Sequence, residues 1–200
     1  MKTTRMLRAT AALSALAATL VLGGCSTDPL ADQFRSGDNK QYIAGDGSVT
    51  EFQNPATRLK GKAWAGYTES GQAVTDLDLI GHVTVLNFWY AGCAPCRAEA
   101  PALQEIKVQY ESKGLQVLGV NVRDTAATAL AFDRSFRLDY PSVIDANTGN
   151  VLLAYTGIVT PQAVPTTIVI DKQGRVSARI LGRFEPGTLR SLITTALGEK

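Results

Sequence analysis

Histidine and cysteine are scarce in this chain, and their scarcity removes whole classes of chemistry. Of 200 residues, one is histidine and three are cysteine. A structural zinc site needs about four nitrogen or sulfur ligands, and no second Cys-x-x-Cys or histidine pair accompanies Cys93 and Cys96. No metal site is therefore expected. The same pair is not followed by histidine, so it does not read as a haem attachment site. His82, beside Gly81 at the mouth of a strand-like run, reads as a surface loop residue. A surplus of one charge is missing too. Twenty basic residues face 18 acidic ones, and a formal net charge of +2 implies no nucleic-acid partner. The one long apolar run, Ala9 to Leu22, falls short of the ~20 residues that span a bilayer.

That run is better read with its flanks. Lys2, Arg5 and Arg8 give it a basic start, and Leu22-Gly23-Gly24-Cys25 at its end resembles a bacterial lipobox. Cleavage there leaves Cys25 as a lipidated N-terminus, so residues 1–25 are expected to be a lipoprotein signal segment. Arg5 and Arg8 are not adjacent, which argues against a twin-arginine signal. Without the three basic residues the formal +2 becomes −1, so the basic balance belongs to the signal. With Cys25 carrying lipid, Cys93 and Cys96 remain as one pair, and the fold must be held by its core. Residues 26–55, polar and rich in Gly, Asp and Asn, are expected to be a flexible tether, and 56–200 one domain.

Within that domain, Ala63–Tyr67 and Gln72–Thr75 read as two short strands around a Glu69-Ser70-Gly71 turn, and Asp76–Ile80 as one helical turn. An alternating order follows. Val83–Tyr90 is an apolar strand, and Ala94 to about Lys113 is a helix with apolar residues at Ala100, Leu103, Ile106 and Tyr110. Leu115–Val122 is a second strand, Thr125–Phe136 a helix, Tyr140–Asp145 a short extended piece and Thr148–Tyr155 a short helix. Pro165–Asp171 and Arg175–Leu181 read as a hairpin through Lys172-Gln173-Gly174, and Pro186–Leu197 as a last amphipathic helix. Such an order makes an α/β domain, a mixed sheet flanked by helices.

Cys93-Ala94-Pro95-Cys96 sits where the first of these strands turns into a helix. Two cysteines three apart in a first helical turn share a face, with Cα atoms roughly 5–6 Å apart, as a disulfide requires. The helix start offers unpaired N–H groups and the positive end of the dipole, which favour thiolate over thiol. The expected chemistry is thiol–disulfide exchange, with the Cys93–Cys96 pair as the redox-active group and no further cofactor.

Asn87-Phe88-Trp89, then Cys93-Ala94-Pro95-Cys96-Arg97-Ala98-Glu99-Ala100-Pro101, then Val164-Pro165-Thr166-Thr167, resemble the exported thioredoxin-like proteins of the ResA and TlpA type. The resemblance covers about residues 60–197, including an insert at roughly 125–160. It implies a thioredoxin-like mixed sheet with an N-terminal hairpin and a central insert. It makes Cys93 the exposed, acidic attacking thiol and Cys96 the shielded resolving thiol. It makes Pro165 a cis-proline facing the pair, with Val164 offering its backbone to an extended client, while Pro161 is an ordinary loop proline. Glu99 is expected at the rim of the site, moving a proton while a cysteine attacks, and Trp89 packs beneath it. Gly92 departs from the family pattern, where tryptophan commonly precedes the first cysteine.

The resemblance further implies protein thiols and disulfides as partners. It favours a reductant of the haem-attachment cysteines of apocytochrome c, recharged by a membrane electron carrier of the CcdA/DsbD type. The protein would then be extracytoplasmic, lipid-anchored at the outer face of the bacterial cytoplasmic membrane. An oxidant that installs disulfides in exported proteins uses the same residues. A thiol peroxidase on a related fold wants threonine three residues before its attacking cysteine, where this chain has Tyr90. A non-catalytic binding module would need neither cysteine.

Overall fold

The computed structural model describes residues 47–159 and 163–199. The signal segment, Cys25, most of the expected tether and Pro161 lie outside the described residues. Eight strands are present among them: β1 Val49–Glu51, β2 Ala65–Tyr67, β3 Ala73–Thr75, β4 Val83–Trp89, β5 Leu115–Asn121, β6 Ser142–Ile144, β7 Thr166–Ile170 and β8 Val176–Leu181. The α-helices are α1 Ala94–Tyr110, α2 Ala126–Phe136, α3 Asn150–Ala154 and α4 Pro186–Gly198.

Six strands form one sheet in the order β1-β8-β7-β4-β5-β6. β4, β5 and β6 are parallel, and β7, β8 and β1 extend the sheet antiparallel from the other side of β4. β4 is buried along its whole length, as expected of a central strand with both faces covered. Its alternation divides the core. Val83 and Val85 pack with Leu103 and Ile106 of α1 and with Leu189 and Ile193 of α4. Leu86 and Phe88 point the other way, into a cluster with Trp64, Val151 of α3 and Tyr155. Asn87 therefore sits on the face of β4 that meets α1, and this register decides the chemistry described below.

The expected helix to Lys113 ends its α-helical part at Tyr110, and Glu111–Lys113 tighten into a 3₁₀ turn closed by Gly114 at φ 93°. The anticipated turn at residues 76–80 is a 3₁₀ helix, Asp76–Leu79, closed at its start by a reciprocal Thr75–Asp78 capping box. β2 and β3 pair as a separate hairpin that leans on the edge of β6. Thr68 bridges Val143, and Ser142 N–H donates to Glu69 Oε2 at 2.6 Å.

One boundary differs. Residues 49–51, placed in the tether, form β1 against the outer edge of β8, with Val49 opposite Ile180 and Glu51 opposite Ala178. Three residues are too few to show a period-2 pattern, and backbone pairing carries no side-chain signature. Phe52 N–H to Ser177 O (2.8 Å) and Gly47 N–H to Leu181 O (2.8 Å) extend the pairing at both ends. The ordered domain thus begins before residue 55.

Candidate active site

The parallel strands β4 and β5 end side by side at Trp89 and Asn121. Chain turns leaving the carboxyl ends of such strands are where α/β sheets place their chemistry. The β4–α1 turn is four residues, Tyr90 to Cys93, and its geometry is fixed by neighbours. Cys93 N–H donates to Tyr90 O at 3.1 Å, and Ala91 N–H donates to Asp124 Oδ2 at 2.6 Å. Asp124 is itself held by Asn121, whose Nδ2 donates to the same oxygen at 2.9 Å and whose Oδ1 accepts the N–H groups of Arg123 and Asp124. Asn121 carries no reading from the sequence, and Asp124 reads there only as one of two candidate N-caps of the next helix, a place that Thr125 takes. An Asn-x-x-Asp after an apolar strand was the available signal, since both residue types fold back onto nearby backbone.

Cys93 is the N-cap of α1, with extended backbone (φ −77°, ψ 109°), and Pro95 occupies the first turn, where no N–H is needed. Cys96 N–H donates to Cys93 Sγ at 3.2 Å. The two sulfurs form a disulfide, with Cα atoms 5.3 Å apart. A thiolate left at Cys93 on reduction would keep this N–H donor and the positive end of a 17-residue helix. The exposure expected of Cys93 is not found: it is 0 % exposed, and Cys96 is 2 % exposed. In the disulfide the sulfurs lie in an apolar cluster with Trp89, Tyr90, Ala129, Phe132 and Val164, so accessibility to a client requires that cover to part. The neighbouring Ala94 is exposed and Pro95 half-buried.

The Val164–Pro165 peptide bond is cis, and Val164 packs in the cysteine cluster. Pro165 O accepts Gly182 N–H at 2.8 Å, joining this turn to the β8–α4 connection. Trp89 stacks on Phe132 with centroids 4.3 Å apart and donates Nε1–H to Ser142 Oγ at 3.1 Å. That bond crosses β5 at Gly119, where a Cβ would lie 2.1 Å from Ser142 Oγ and 2.8 Å from Trp89 Nε1. Only glycine fits between them.

Glu99 is the principal departure. It was expected at the rim and is instead 2 % exposed, inside the fold. The reason is helical register: positions 96, 99, 100, 103, 106 and 110 form the one buried stripe of α1. Oε1 accepts from Asn87 Nδ2 at 2.8 Å and Oε2 from Phe184 N–H at 3.2 Å. Asn87 Nδ2 also donates to Thr167 Oγ1 at 3.0 Å. Burial pushes the Glu99 carboxyl up to about 8, against the opposing pull of those two donors and of the Arg183 charge. It is a carboxylic acid near neutrality, three residues along the helix from Cys96.

Comparison with known proteins agrees with this geometry. Residues 52–179 match the AhpC/TSA family. The thiol-disulfide oxidoreductase ResA of Geobacillus thermodenitrificans is 39% identical over 105 residues, which are 52% of this chain and 58% of that protein. ResA of Bacillus cereus is 30% identical over 112 residues, 56% of this chain and 62% of that one. The chain thus spans about three fifths of the length of these curated relatives. Among solved structures, a secreted thiol-disulfide isomerase from Corynebacterium glutamicum superposes with a TM-score of 0.68 at 31% identity, covering 80% of this chain and 98% of that one. The fold is thioredoxin-like.

Proposed function

Because the chain belongs to the AhpC/TSA family, we propose that it is an extracytoplasmic thiol–disulfide oxidoreductase of the ResA type working through Cys93 and Cys96. The observation that carries this reading is the Cys93–Cys96 disulfide with Cys93 as the cap of α1. In the reducing direction the Cys93 thiolate attacks one sulfur of a client disulfide. A mixed disulfide forms and the first client thiolate leaves. Cys96, as thiolate, then attacks the Cys93 sulfur and expels the second client thiolate. Two electrons pass to the client, which takes up two protons, and the Cys93–Cys96 disulfide is restored. Glu99, with its carboxyl raised to about 8 and on the same helix face, would take the Cys96 proton in its carboxylate form and return a proton from its acid form when the exchange runs in reverse.

Tyr90, in the position where a peroxidase would hold threonine, weighs against the thiol peroxidase reading that the family also leaves open. The finer reading is a lipoprotein, anchored through Cys25, that keeps apocytochrome c cysteines reduced and is recharged by a membrane electron carrier of the CcdA/DsbD type. It is supported by the lipobox-like sequence and by the likeness to ResA. The test is trapping. Cys96→Ser should accumulate mixed disulfides with client proteins, and Cys93→Ser far fewer. The reverse pattern would exchange the roles of the two thiols, and no adduct with either variant would remove the activity. The in-cell redox state then gives the direction: mostly dithiol means reductant, mostly disulfide means oxidant.

A further inference from the structure

The turn that leads into the dithiol is flanked by two guanidinium groups that the exchange steps do not use. Arg97, at the end of the first turn of α1, folds back so that Nη1 donates to Ala91 O at 3.3 Å. Its Cζ lies 5.9 and 5.1 Å from the ring centroids of Phe132 and Phe136. Arg123, from the β5–α2 loop, holds its Cζ 4.4 Å from the centroid of Tyr90, whose carbonyl accepts the Cys93 N–H. Both arginines are exposed, and among the described residues neither forms an ion pair. Asp124, the acid beside Arg123, is committed to Ala91 N–H and Asn121.

Stacking on a ring fixes the plane of a guanidinium and lowers the entropy lost when its other N–H groups meet a planar anion. A carboxylate is the ligand that such a fork matches, through two parallel hydrogen bonds. Gly92 and Ala94, exposed and small on either side of Cys93, put no bulky side chain in the way of a client chain once the cover over Cys93 parts. We propose that Arg97 and Arg123 form a carboxylate-binding rim that selects client disulfides flanked by acidic side chains. The proposal rests on exchange at Cys93–Cys96. The two cations also favour the Cys93 thiolate, but that effect is common to every client, so selection is read from a ratio of rates.

The experiment uses the reduced full-length chain and a set of synthetic peptides, each with one disulfide flanked by Glu, Ser or Lys, alongside neutral hydroxyethyl disulfide. Second-order rate constants are measured at low and high salt. The Glu-flanked peptide should react roughly 5–10-fold faster than the Lys-flanked one, as expected for two exposed charge pairs. The ratio should shrink toward one at ~1 M salt, where the Debye length is about 3 Å. It should approach one in Arg97→Gln/Arg123→Gln and invert in Arg97→Glu/Arg123→Glu. A wild-type ratio near one, or a ratio that the double glutamine variant leaves unchanged, overturns the rim while reaction with hydroxyethyl disulfide preserves the exchange reading. If neither peptides nor hydroxyethyl disulfide react, the exchange reading fails and the rim fails with it.

Discussion

Two carboxylates are buried at opposite ends of the same sheet, and they behave in opposite ways. Glu99 lies three residues along the helix from Cys96 and accepts from two neutral donors, the Asn87 amide and the Phe184 N–H, with the Arg183 charge as the weakest pull on it. Asp171 closes β7 at the far end, where burial also raises its carboxyl. There the Arg175 backbone N–H and the side chains of Arg58 and Arg175 outweigh burial and hold it below the usual range. Glu99 is pushed up to about 8, and Asp171 stays ionised. Burial alone does not decide the charge of a carboxyl; the charge of its partners does. The far end spends its counter-charges on locking the chain. Arg58 joins the segment before the hairpin to Asp171 and to Glu199, and Lys172 Nζ caps the carbonyls of Leu197 and Glu199 at the end of α4. The near end withholds a formal partner and leaves a group that can gain and lose a proton.

The sharpest way to break the comparison is to move Asp171 toward the surroundings of Glu99 by taking away one of its two charged partners. Arg58→Ala removes one of its two guanidinium partners from a site where the Arg58 and Asp171 side chains are 3 % and 1 % exposed. Stability should fall by about 1.5–3 kcal/mol, because a buried charge-assisted hydrogen bond is lost while Arg175 still compensates Asp171. Chemical denaturation reads this as a lower midpoint. The loss should be greatest at neutral pH and should narrow as pH falls through the folded value of Asp171, since its depressed carboxyl contributes stability only while ionised. Below the denaturation midpoint, exchange at Cys93 should continue, as Arg58 lies at the other end of the sheet.

The second prediction concerns the near end and has the opposite sign. Glu99 keeps a proton in the fold that the unfolded chain, with an ordinary value of 4.5, releases. Stability should therefore fall as pH rises from about 4.5 to about 8 and level off above, by a few kcal/mol in all. Asp133, raised by burial and by the nearby Glu69 to about 6, contributes in the lower part of that window, so the slope between about 6 and 8 is the Glu99 signature. Glu99→Gln should flatten it, measured as denaturation midpoints across pH. The same variant should shift the pH profile of cysteine alkylation in the reduced protein. An unchanged alkylation profile with a flattened stability curve would make Glu99 structural only.

Legibility in the sequence followed the same division. The near end was readable because its signals are chemical types at short spacing: Cys93 and Cys96 at a strand-to-helix turn, and a Val-Pro-Thr that carries the cis bond. The strands and helices came through to within a few residues because β4, β5 and the α1 stripe bury regular periods. What was missed depends on contacts distant in the chain. Arg58 to Asp171 spans 113 positions, Glu99 to Phe184 spans 85, and β1 pairs with β8 by backbone alone. Glu99 shows the limit most clearly. Its place on the buried stripe was available from Ala100 and Leu103, yet a glutamate on an apolar stripe reads as an exception until its donors are seen. The apolar cluster in which Cys93 is buried likewise draws on Val164, Ala129 and Phe132, none of which has a signature near residue 93.

The smallest expected effect tests whether the far end is one network or a strong pair with an accessory. Glu199 reaches Arg58 with both oxygens, Arg58 Nη2 to Glu199 Oε1 being 2.7 Å, but its side chain is 25 % exposed. Water can replace what it offers, and Arg58 would still hold Asp171 at 3.0 Å. Glu199→Gln keeps the shape and one acceptor while removing the charge. It should cost at most about 1 kcal/mol, as for exposed pairs, and lose part of that cost at high salt. The cycle with Arg58→Ala separates the alternatives. If Glu199→Gln costs as much in the Arg58→Ala background as in wild type, the Glu199 charge acts independently of Arg58. If it instead becomes stabilising there, two carboxylates left without Arg58 repel each other, and the far end is a single network whose central charge is Arg58.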